Sequence, residues 1–153
     1  AMCSMYSVSG LAAAQCVCTT VGALPADPKD PAGELHAWAH QVYANLSEQR
    51  VLIRRVLGET VERPDISPLV CEGAQGEHHC LRRYLEDVRR RGLTSAEFNA
   101  ESVSSMLLGA LFADAMMRDM MPSMLSVEDM VRDYVHMTLV AIGAASTSTP
   151  GVV

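Results

Sequence analysis

The stretch from Leu93 to Met121, LTSAEFNAESVSSMLLGALFADAMMRDMM, constrains this chain more than any other. From Val103 to Met117, apolar or small residues occupy nearly every face of the helix it would form. A helix that is apolar on all sides must be covered on all sides, and 153 residues leave few other helices to cover it. At about 100° per residue, Val103, Met106, Leu107, Ala110, Leu111 and Met117 fall on one side, and Ser105, Leu108, Gly109, Phe112 and Met116 on the other. The expectation is that the first side meets the chain's own core and the second meets another copy of the chain. A capping box over Thr94–Glu97, with Leu93 and Phe98 as a hydrophobic staple, is expected to start the helix. Pro122, which lacks an amide hydrogen, is expected to end the run.

The remaining segments supply the covering helices. Leu11 to Leu24 carries apolar residues at roughly helical spacing, and a loop with three prolines follows up to Gly33. A long helix is expected from Pro31 to Leu57, with Asp30 as N-cap and Leu35, Trp38, Ala39, Val42, Leu46 and Ile53 along one stripe. A break over Gly58–Pro64 precedes a short helix over Asp65–Cys71, a glycine-containing loop over Glu72–Gly76 and a helix over Glu77–Arg91. That last helix turns Leu81, Tyr84, Leu85 and Val88 inward and closes at Gly92. Ser126 is placed to cap a final helix that reaches Ala144 and buries Met130, Val131, Tyr134, Val135, Thr138, Leu139 and Ile142. No stretch alternates with period two for long enough to make a strand. The fold class is therefore all-α, a bundle of five to six helices, with one domain over residues 25–145, an N-terminal segment over 1–24 and a frayed tail over 146–153.

Charge narrows the function. The net charge is −6, and the one arginine group, Arg82, Arg83, Arg89, Arg90 and Arg91, sits toward a helix C-terminus, where cations suit the dipole. Nucleic-acid binding needs a concentrated positive face, so DNA binding is not supported. The first 26 residues lack the positive start of a signal peptide, and polar residues interrupt their apolar run, so neither export nor membrane insertion is expected. Five cysteines without framework spacing fit free thiols in a cytoplasmic protein.

Groups able to carry chemistry are sparse. Cys71, His78, His79 and Cys80 form a metal-like set that lacks paired ligand spacing. His36 and His40 share a helix face at i, i+4, a spacing that can hold a metal, but without the sequence context of a metalloprotease. Cys16 and Cys18 lack the spacer of a thioredoxin-type site. No nucleophile–base set or phosphate-binding loop stands out. Neither catalysis, a cofactor nor a metal is assigned.

The runs Leu81–Phe112 and Ser126–Ala144, together with Ala32–Glu59, are similar to the C-terminal half of tetracycline-repressor-like (TetR) transcriptional regulators. The resemblance rests on the Tyr84–Leu85 pair, Gly92 seven residues beyond it and the small-residue helix Ser104–Ala113. It implies an effector-binding and dimerisation domain whose last two long helices pair with a second subunit as a four-helix bundle. It also implies a pocket for a small apolar effector, which on this chain would be lined by Trp38, Val42, Tyr43, Tyr84, Met106, Leu107, Ala110 and Met117. The implied dimer interface is Ser105, Leu108, Gly109, Phe112, Met116, Tyr134, Val135, Thr138 and Leu139. The family's DNA-reading helix-turn-helix has no counterpart in the sequence, although Tyr6–Cys18 faintly resembles its first helix. The competing readings are a structural homodimer with a solid interior, and a metal or thiol sensor built on Cys71, His78 and Cys80.

Overall fold

The computed structural model describes residues 22–62, 67–121 and 125–144. These residues form four helices, α1 (Pro31–Glu62), α2 (Ser67–Arg90), α3 (Ala100–Met117) and α4 (Val127–Ile142), and no strand. The expected helix start at Leu11, the expected stop at Pro122 and the expected frayed tail lie outside the described residues.

Among the described residues four helices stand where five were expected, because within 67–90 the expected short helix, loop and helix are one continuous helix, α2. Its backbone runs helically through Gly73 and Gly76. A glycine in a helix interior costs about 1 kcal/mol, which the rest of a 24-residue helix can absorb. Pro68 falls in the first turn, where a missing amide hydrogen does no harm. In the same way α1 continues past Gly58, the expected break, to Glu62.

The start of α3 also moves. Thr94–Glu97 forms no helix turn. Asn99 is the N-cap, with φ −93° and ψ 112°, and its side chain accepts from the Ser102 amide at 3.0 Å. The segment expected to cap α3 instead ties onto the end of α4, where the Ser95 amide and hydroxyl donate to the Gly143 carbonyl at 3.2 and 3.0 Å. Gly143 closes α4 with φ +68°, and a Cβ there would stand 2.5 Å from the Ala96 amide nitrogen. Both the left-handed backbone and the close approach therefore require glycine. At the other end of α4, Ser126 accepts from the Asp129 amide, the cap its sequence position suggests.

Each helix buries the stripe that its periodicity provides. Leu35, Trp38, Ala39, Val42 and Tyr43 of α1, Leu81, Tyr84, Leu85 and Val88 of α2, and Met130, Val131, Val135, Leu139 and Ile142 of α4 surround Val103, Leu107, Leu111 and Ala115 of α3. Full burial of each large aliphatic side chain contributes about 1.5–3 kcal/mol. α3 touches all three other helices, and α1 also packs on α4. A polar latch holds the far half of α1 to the end of α3: Arg54 donates to Asp119 at 2.9 Å and to the Met116 carbonyl, and Arg50 lies 3.9 Å from Asp119. No helix among the described residues is long and apolar enough to cross a membrane.

Candidate functional site

The feature best suited to hold a guest is an apolar groove where α1, the first half of α2 and α3 meet. Val42, Asn45 and Leu46 form one wall, Leu108, Gly109 and Phe112 the other, and Glu77 borders it, around a cavity of ≈ 330 Å³. The two walls follow from sequence spacing: 42, 45 and 46 on α1, and 108, 109 and 112 on α3, are neighbours on their respective helix surfaces. Gly109 opens the space between them, because a Cβ added there would meet nothing within 4 Å. Ligand clefts begin at about 300 Å³ and combine apolar walls with a few polar groups. Asn45 and Glu77 are the polar members here.

Beside the groove, α1 and α3 are joined by a polar network. The Tyr43 hydroxyl donates to Asp114 Oδ1 at 2.7 Å. Arg118 donates to both oxygens of the same carboxylate at 2.7 and 3.0 Å, and to the Leu125 carbonyl at 2.8 Å. Burial, and then the Asp114 carboxylate, push the Tyr43 hydroxyl pKa up, while the bond to Asp114 raises that of Arg118. A matching bond joins α2 to α1, where the Tyr84 hydroxyl donates to Glu34 Oε2 at 2.6 Å. Burial and then Glu34 push Tyr84 well above the ordinary tyrosine value. Burial alone would raise the Glu34 pKa, but the bonds from Tyr84 and from the amides of Lys29 and Asp30 outweigh it and hold the carboxyl below its usual range.

The expected lining set is therefore divided. Val42 lines the groove. Trp38, Tyr43, Tyr84 and Leu107 are buried in the core, and both tyrosine hydroxyls are spent on internal carboxylates. The Trp38 indole nitrogen is buried without a hydrogen-bond partner. Ala110 is half-buried, whereas Met106 and Met117 are exposed at 52% and 39% rather than turned inward. They lie on the flank of α3 that the other helices leave open.

The residues expected at a dimer interface divide as well. Leu108, Gly109 and Phe112 line the groove. Ser105 is bonded to His78 at 3.0 Å. Met116, Val135, Thr138 and Leu139 are buried within their own chain, so they present no free surface to a partner. Tyr134 is half-buried, and its carbonyl accepts from the Thr138 hydroxyl. Asn45, Leu46 and Glu77 are the groove residues that sequence reasoning did not assign. Leu46 was legible as the i+4 neighbour of Val42, but Glu77 was not, because a loop was expected immediately before it.

The metal-like set on α2 is otherwise engaged. His78 reaches Ser105 and lies 3.6 Å from Glu101, His79 lies 3.3 Å from Arg82, and Cys80 is disulfide-bonded rather than a free thiol. The Cys71 side chain lies outside the described set. Four of the five arginines are paired or stacked: Arg82 with Glu101, Arg90 with Asp87, Arg91 with Asp27, and Arg89 over the Phe98 ring at 5.9 Å. No family model, curated protein or solved structure matches the chain.

Proposed function

We propose that this chain is an effector-binding and dimerisation module of the TetR-regulator type that takes one small apolar molecule per subunit in the groove between α1, α2 and α3. The groove carries the reading: its walls are apolar, a glycine leaves space in one of them, and those walls belong to α1 and α3, each of which packs on all the other helices. A guest between Val42, Leu46, Leu108 and Phe112 would press on α1 and α3 together. In a full regulator of this type, such a shift is what a DNA-reading segment would sense, through a difference in affinity between two poses.

Pairing of subunits is assigned to the open flanks of the last two long helices. Met106 and Met117 on α3 and Met137 and Val140 on α4 are exposed large hydrophobics, and methionine-rich surfaces adapt readily to a partner. The groove and the interface thus exchange the sides of α3 that the sequence suggests for them.

Two measurements test the reading. In a thermal-shift screen against lipophilic compounds, a ligand at 100 times its Kd raises stability by about 2.7 kcal/mol, and Gly109→Phe, which fills the cleft, abolishes the gain. Sedimentation of wild type and of Met106→Lys/Met137→Lys separates the second half of the proposal. A dimer that becomes monomer on substitution supports it, and a wild type that is monomeric at micromolar concentration ends it.

A further inference from the structure

Away from the groove, the structure brings together three side chains that are distant in sequence. His36 and His40 lie one turn apart on α1, and Glu128 stands in the first turn of α4. Glu128 Oε1 is 3.6 Å from His36 Nε2, and Oε2 is 3.1 Å from His40 Nε2. One donor atom from each of the three residues lies within 4.8 Å of the others. The two imidazoles meet edge to face, with centroids 4.6 Å apart and planes at 66°, so the rings converge on the carboxylate rather than stacking.

These separations have a chemical meaning. With Zn–N and Zn–O bonds of about 2.0–2.1 Å, two ligand atoms on neighbouring corners of a tetrahedron stand roughly 3.3–3.4 Å apart. The observed 3.6 and 3.1 Å, one to each oxygen of the carboxylate, are close to that edge, and small side-chain rotations would bring one oxygen and both nitrogens, already within 4.8 Å of one another, onto a common ion. His40 Nε2 is buried and makes no hydrogen bond, although the carboxylate oxygen is only 3.1 Å away, because the ring does not aim an N–H along that line. A buried nitrogen facing a carboxylate without a hydrogen bond is costly for the apo protein. It is the arrangement that a cation seated between the two groups would resolve.

We propose that His36, His40 and Glu128 bind a divalent transition-metal ion, Zn²⁺ by preference, as a two-histidine, one-carboxylate site with its fourth position open to solvent. Two neutral imidazoles and a carboxylate suit zinc better than magnesium or calcium, which favour all-oxygen shells. The side chains of His36, His40 and Glu128 are 36%, 29% and 65% exposed, so an ion has a path in and a water can complete the tetrahedron. The ion would add a clamp between the first turns of α1 and the start of α4, two helices that already pack on each other.

The test uses the full chain, freed of metal with EDTA, returned to chelator-free buffer and titrated with ZnCl₂ by calorimetry and with CoCl₂ by visible absorption. The expected result is one equivalent bound, a visible cobalt band of tetrahedral type, and a melting temperature raised by zinc but not by magnesium. His40→Ala and Glu128→Gln should weaken binding by more than the ~10–100-fold that losses outside the coordination shell cost. Because all three residues are partly exposed and His40→Ala removes a buried nitrogen without a hydrogen bond, neither variant should melt below wild type in EDTA, which separates loss of the site from loss of the fold. A wild type that binds no zinc overturns the proposal. So does zinc binding that both substitutions leave unchanged, because the ion would then sit on other donors such as His79 or His136.

Discussion

On one flank of α3, Leu108, Gly109 and Phe112 face Val42 and Leu46 across a cavity of ≈ 330 Å³. On the other, Met106 and Met117 are exposed and meet no helix of their own chain closely enough to be buried. Both flanks are apolar in sequence, and their fates differ because α1 and α2 converge on the first and no described helix covers the second. All-round apolarity states how much surface needs cover, while the entry angle of α3 decides which neighbour supplies it. That angle depends on the clip between Ser95 and Gly143 and on the Asn99 cap, neither of which belongs to the apolar pattern.

The sharpest contrast is between the buried face of α3 and its open flank. Leu111 is fully buried, so Leu111→Ala should cost about 3–5 kcal/mol in chemical denaturation of the monomer. Measured at protein concentrations low enough to dissociate the proposed dimer, Met106→Ala should change it by no more than about 0.5 kcal/mol. Equal effects would erase the distinction. A next step would disturb the entry of α3: Gly143→Ala places a side chain in a left-handed position against the 95–96 backbone and should cost about 2 kcal/mol in the same assay. A smaller loss, about 1 kcal/mol, is expected for Tyr43→Phe, because Asp114 keeps both of its hydrogen bonds from Arg118.

The smallest effect concerns acid. The Glu34 carboxyl lies below its ordinary value of 4.5 when folded. Stability from the Tyr84–Glu34 bond is therefore fully present above that value and lost as pH falls through the lowered folded one. Unfolding free energies measured from about pH 6 down to about pH 3 should slope less steeply in Tyr84→Phe than in wild type. A parallel slope would show that the bond does not set the acid response.

Most of the scaffold could be read from periodicity. The stripes of α1, the second half of α2 and α4 are buried at Leu35, Val42, Leu81, Leu85, Val131 and Ile142, Ser126 and Gly92 mark helix ends as their chemistry suggests, and the Asp30 carbonyl accepts the first helical bond of α1, from the Glu34 amide. The misread elements were those decided by distant partners. Thr94–Glu97 fits a capping box locally, but Ser95 finds a better acceptor at Gly143, 48 residues away. Gly73 and Gly76 look like breakers, yet α2 carries them. The meeting of His36 and His40 with Glu128 joins residues about 90 positions apart, so the i, i+4 histidine pair was visible in the sequence and its carboxylate was not. For the groove, Val42 and Leu108 were both singled out, but assigned to opposite sides of α3, because a wheel of one helix does not say where its neighbours stand.

The most direct test of the central claim is equilibrium binding of an apolar, environment-sensitive fluorophore to wild type and to Gly109→Phe at matched concentration. Nothing stands within 4 Å of a Cβ at Gly109, so the new side chain starts into open space, and circular dichroism of both proteins checks that the helices are kept. The account predicts one saturable site per chain in wild type and loss of that site in the variant. Saturable binding of equal affinity in both proteins would contradict it, because the guest would then lie somewhere other than between Val42, Leu46, Leu108 and Phe112.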